Sequence, residues 1–102
     1  MKFAAVVTQL DRAVEHAGNV NDALQRSDFD RVAHEHVRLV GLLVDLDGKT
    51  TLDLAAAVEL TGVVEFALRD GDVVRAIDQT ERLAALVVDL RLKLTEQAAG
   101  SN

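Results

Sequence analysis

Apolar residues recur at three- and four-residue spacing along almost the whole chain, broken only where short polar residues and glycine cluster. Phe3, Val6, Val7, Leu10, Val14, Ala17 and Leu24 form a first stripe, and Phe29, Val32, Ala33, His36, Val40, Leu43 and Val44 a second. Leu54, Val58, Thr61, Val64 and Leu68 form a third, and Val73, Ala76, Ile77, Thr80, Ala84, Val87 and Val88 a fourth. This is the period of an amphipathic helix with one face turned to a core, and no segment alternates like a strand. The spacing predicts helices over 2–26, 28–47, 51–69 and 72–96, with 98–102 frayed. Polar side chains mark the starts: Ser27 or Asp28 for the second helix, Thr50 with Asp53 as a capping box for the third, and Asp72 for the fourth. Gly48 and Gly71 stand where a left-handed residue closes a helix.

The four stripes are two copies of one pattern. A shift of 44 residues sets Leu10–Leu46 on Leu54–Leu90 without a gap, and 16 of the 37 pairs are identical, Leu39/Leu83, Leu42/Leu86 and Leu46/Leu90 among them. The first repeat covers about 3–46 and the second about 47–90, with a C-terminal extension over 91–102, all within one domain of 102 residues. Short connections force neighbouring helices to run antiparallel. The expected fold is therefore all-α, an up-down-up-down four-helix bundle of two tandem helical hairpins. A two-unit solenoid is the competing arrangement, but two units leave much apolar surface in water. Gly18 and Gly62 fall mid-helix in both copies, where glycine costs about 0.5–1 kcal/mol relative to alanine; a close helix crossing is the expected compensation.

Leu39, Leu42 and Leu46 form a separate stripe beside the expected core face of the second helix. The fourth helix repeats it as Leu83, Leu86 and Leu90, with Leu94 one turn on, and both copies are flanked by an arginine and an aspartate, Arg38 with Asp45 and Arg82 with Asp89. Together the stripes cover about 200° of the helix, more than one core face needs. The extra leucines are thus either deeply packed or an interface to another chain. The interface is the preferred expectation, with a homodimer the natural assembly for a duplicated chain.

Composition narrows the function classes. The chain lacks proline and cysteine, so it has no disulfide framework, thiolate metal site or cysteine nucleophile, and a cytoplasmic setting follows. A net charge of −6 with scattered basic residues and only three aromatics, all Phe, disfavours nucleic acid. No secretory signal or membrane-length apolar run is read. Isolated glycines cradle no phosphate, and no small-molecule substrate, cofactor or conventional catalytic set is legible.

Three histidines remain. His36 lies on the core face opposite Thr80 in the repeat and reads as a hydrogen-bonded, semi-buried side chain. His16 reads as a surface residue beside Glu15. His34 and His36 are two apart and diverge, so zinc is not expected. His34 projects about 140° from Phe29, with Arg38 one turn and Gly41 two turns later; an exposed imidazole beside a cation suits a phosphoryl group. Over Ala33–Gly41, Asp47-Gly48, Leu54–Glu59 and Gly71-Asp72 the chain resembles histidine-containing phosphotransfer domains. That resemblance implies a four-helix bundle with His34 as phosphoacceptor and Arg38 beside it. That family carries a basic residue and a glycine three and four positions after its histidine, where this chain has Val37 and Arg38. Asp28-Phe29-Asp30, Arg38-Leu39 and Leu42-Leu43 are similar to a helix of FliT-type flagellar export chaperones. The leading expectation is a non-enzymatic interaction protein (adaptor, chaperone or regulator) working through Leu39, Leu42, Leu46, Leu83, Leu86 and Leu90 with Arg38 and Arg82 at their edges. Phosphotransfer through His34 is the alternative.

Overall fold

The apolar stripes close into four helices in the computed structural model, which describes residues 2–100 and the side chains of residues 2–98. They are α1 (Phe3–Gln25), α2 (Phe29–Asp47), α3 (Ala55–Arg69) and α4 (Val73–Gly100). The molecule is an up-down-up-down bundle, 48 × 20 × 18 Å, built from two tandem hairpins, α1/α2 and α3/α4. α1 packs along both α2 and α4, and α3 packs along α4, while α2 and α3 meet least. The contact of first helix with last closes the ring, which a two-unit stack would leave open.

Positions identical in the two copies form the core. Leu10, Ala13, Val20, Ala23, Leu39 and Leu46 are buried, as are their counterparts Leu54, Ala57, Val64, Ala67, Leu83 and Leu90. Burying one leucine contributes about 1.5–3 kcal/mol, so both hairpins supply large terms to the shared core. The core divides into two clusters. One gathers Leu10, Leu39, Leu43, Leu46, Leu54, Leu83 and Val87; the other gathers Val20, Ala23, Leu24, Val32, Ala67 and Ala76. Three buried polar residues separate them along the helices: His36 between Val32 and Leu39, Thr61 between Ala57 and Ala67, and Thr80 between Ala76 and Leu83.

The two hairpin turns also repeat. Ser27 at φ 56° and Gly71 at φ 71° occupy equivalent left-handed positions. The next N–H reaches back in each, Asp28 to the Ala23 carbonyl at 2.9 Å and Asp72 to the Ala67 carbonyl at 2.8 Å. The same two aspartates cap the following helices, accepting from the N–H of Arg31 at 3.3 Å and of Arg75 at 3.1 Å.

Several local expectations are corrected. Gly48 has φ −95° and is no left-handed cap. α3 starts at Ala55 rather than at 51, because the connection bends inward to bury Leu52 and Leu54. No capping box forms there: Thr50 accepts from the Leu52 N–H and Asp53 from the Ala55 N–H. α4 continues to Gly100, beyond the expected 96, and residues 101–102 of the expected frayed end lie outside the described region. Gly18 and Gly62 mark no helix crossing, since both are exposed and a Cβ at either would meet nothing within 4 Å.

Candidate functional site

The bundle turns the leucine stripes inward. Leu39, Leu46, Leu83 and Leu90 are buried, and Leu42 and Leu86 are half-buried against the same cluster. The expected leucine interface is thereby corrected to core, with Arg38 and Arg82 left exposed at its margin. The physical reason is the rotation of α2: its buried face is Val32, His36, Leu39, Leu43 and Leu46. The apolar excess emerges on the other flank, at Phe29, Ala33, Val37, Val40 and Val44, which fall within about 80° of one another on a 3.6-residue helix. Phe29 is 51%, Val37 70% and Val44 54% exposed.

This ridge borders the sparsely packed α2/α3 seam. A cleft of about 220 Å³ opens there, lined by Ala33, His36, Val37, Glu65, Leu68 and Arg69. His36 lies at its base with a side chain only 5% exposed, its Nε2 3.8 Å from a Glu65 carboxylate oxygen. Neither ring nitrogen has a hydrogen-bond partner among the described residues, so the expected satisfied histidine is instead a buried, unsatisfied one. Burial pushes the His36 pKa below its ordinary 6.5, against the pull of Glu65 and of a Thr61 backbone group too poorly placed for a formed hydrogen bond. The ring is therefore neutral at neutral pH.

The α1/α2 face is polar by contrast. His16, expected on the surface, is half-buried and pairs through Nδ1 with the Glu35 carboxylate, to which Asn19 also donates. Arg31 donates to Asp22 at 2.8 Å. Gln9 donates to the Leu42 carbonyl at 3.1 Å and to Asp45 at 3.0 Å. These bonds favour the charged carboxylates. The His16 bond holds Glu35, the Arg31 and Arg26 bonds hold Asp22, and the Lys49 and Gln9 bonds hold Asp45 below the usual range. Between the helices lies a groove of about 450 Å³ lined by Gln9, Arg12, His16, Arg38, Gly41, Leu42 and Asp45.

His34 is exposed midway along α2, and Arg38 and Gly41 are exposed on the following turns. Among the described residues no group of three or more His, Cys, Asp or Glu comes together to hold a metal, and no helix is long and apolar enough to cross a membrane.

No protein-family model matches the chain, and no curated protein or solved structure matches it. Sequence reasoning missed the α1/α2 groove and the ridge on α2. The groove did leave a signal: Arg12, His16 and Gly41 are places where the copies disagree, with Ala56, Leu60 and Ala85 opposite them.

Proposed function

We propose that the chain is a non-enzymatic helical protein–protein interaction module whose first partner is a second copy of itself. The observation that supports this is the ridge of Phe29, Val37 and Val44 on one face of α2, beside the bundle's least-packed seam. Contiguous exposed apolar surface is costly in water and characteristically marks an interface. A helix face of this kind packs against another helix through anchors spaced three and four residues apart. Pairing of two such ridges about a twofold axis buries both at once. A cytoplasmic setting suits a chain without cysteine.

Light scattering after size exclusion, over a concentration series, tests it. The wild type is expected at twice the 11.0 kDa chain mass, and Val37→Asp with Val44→Asp at 11.0 kDa with unchanged helical circular dichroism. A wild type that stays at chain mass up to millimolar concentration overturns self-association through this ridge.

The exposure of His34, with Arg38 one turn on, favours phosphotransfer as a second reading. Its test is incubation with a phosphorylated response-regulator receiver domain. Acid-labile label that disappears in His34→Gln supports it, and absence of label in the wild type removes it.

A further inference from the structure

We propose that the groove between α1 and α2 is a binding site for the phosphoryl group of a small molecule, independently of the interaction reading. Arg12 from α1 and Arg38 from α2 both line this groove of about 450 Å³. Among the described residues neither forms an ion pair, nor do Arg69 and Arg75, whereas Arg26, Arg31, Arg82 and Arg91 each pair with an aspartate. The acids nearest the groove are already engaged, Asp45 by Lys49 and Gln9, and Glu35 by His16 and Asn19. Two uncommitted guanidinium groups therefore make a local positive site on a chain of net charge −6.

The chemistry of those groups selects the ligand. A guanidinium fork binds carboxylate or phosphate through paired N–H donors, and one carboxylate fills one fork. A phosphoryl dianion presents three oxygens and suits two forks arriving from two helices. Gly41 keeps the space open, and its role is not packing, because a Cβ there would meet nothing within 4 Å.

The second hairpin serves as an internal control. It carries Ala56 for Arg12, Leu60 for His16 and Ala85 for Gly41. Arg82, the counterpart of Arg38, is held by Asp78 at 3.4 Å, and the residue equivalent to Asp78 in the first hairpin is His34. The groove thus combines three residues shared by the copies, Arg38, Leu42 and Asp45, with four that are particular to the first, Gln9, Arg12, His16 and Gly41.

The experiment is an NMR titration of amide shifts in the full chain at constant ionic strength, with inorganic phosphate, pyrophosphate and glycerol phosphate as probes and succinate as the carboxylate control. Saturable shifts clustered at Arg12, His16, Arg38 and Gly41 are expected, with affinity at least tenfold weaker in Arg12→Gln and in Arg38→Gln. Gly41→Leu fills the groove and raises helix propensity, so it abolishes binding while melting at or above the wild-type temperature. Equal affinity for succinate overturns the phosphoryl assignment. Shifts that never saturate, or that persist in both arginine variants, overturn the site.

Discussion

The α1/α2 and α3/α4 hairpins share core, turns and caps but differ on their outer faces. On the first, Asp22 pairs with Arg31 and His16 with Glu35; on the second, Phe66 and Leu60 stand at the positions of Asp22 and His16, and Phe66 is 66% exposed. The seams between hairpins differ as well. The α1/α4 seam is closely packed, and its counterpart α2/α3 is the loosest in the bundle, with His36 and Glu65 where the closed seam has Thr80 and Asn21. Duplication imposes a shared interior because both copies bury the same side chains, whereas surface positions are released to diverge. Function is then most economically sought where the copies disagree.

The largest test breaks the shared interior. Leu39→Ala and Leu83→Ala are each expected to cost about 2–5 kcal/mol in urea denaturation, since both side chains are fully buried. A negligible loss at either would return the leucine stripe to the surface.

The polar layer comes next, and it separates the copies. With its pKa lowered by burial, His36 binds a proton more weakly in the folded chain than in the unfolded one. Its contribution is fully present above about 6.5 and is lost as pH falls from there toward the lower folded value. The urea midpoint should therefore drop between pH 8 and 5.5 in the wild type and drop less in His36→Gln. Asp22, Glu35 and Asp45 act in a lower window, because their depressed values place their stabilisation above the ordinary carboxylate range and its loss below it. Identical pH profiles for the two proteins would show that His36 bears no protonation penalty.

Caps and turns should respond alike in both hairpins. Asp28→Ala and Asp72→Ala are expected to lower stability by about 1 kcal/mol each in thermal unfolding. Ser27→Gly should raise it by about 0.5–1 kcal/mol, because serine holds the left-handed conformation that Gly71 adopts without a Cβ penalty. Unequal caps would mean that the turns share geometry without sharing energetics. The smallest effect belongs to Phe66→Asp, which rebuilds in the second hairpin the pair that Asp22 makes with Arg31, here toward Arg75. An exposed pair contributes about 0–1 kcal/mol, so a double-mutant cycle with Arg75→Ala should find coupling within that range.

The helices, the duplication and the second hairpin turn were legible in the chain because each depends on local chemistry: apolar period, a capping aspartate, a glycine in the left-handed region at Gly71; the left-handed residue of the first turn is Ser27, whose side chain carries no such signature. His34 was read correctly as exposed for the same reason, since it lies on the polar side of its own helix. The burial of Leu39 and Leu83, by contrast, depends on how far each helix rotates about its axis. Periodicity gives the width of an apolar face but not which part of it a neighbour covers, and α2 offered two adjoining stripes. Packing into the cluster shared by all four helices covered the leucines and left Val37 and Val44 in water. The polar links of His16 with Glu35 and Asp22 with Arg31 join residues on different helices, so no spacing along the chain announces them.

What the sequence by itself determined was the number of helices, their order and their duplication, because backbone hydrogen bonds and side-chain period act within a few residues. Only the tertiary structure decided which apolar stripe became core, which seam stayed loose and which arginines were left without an acid. Those outcomes follow from the simultaneous packing of four helices, where covering one face leaves another exposed.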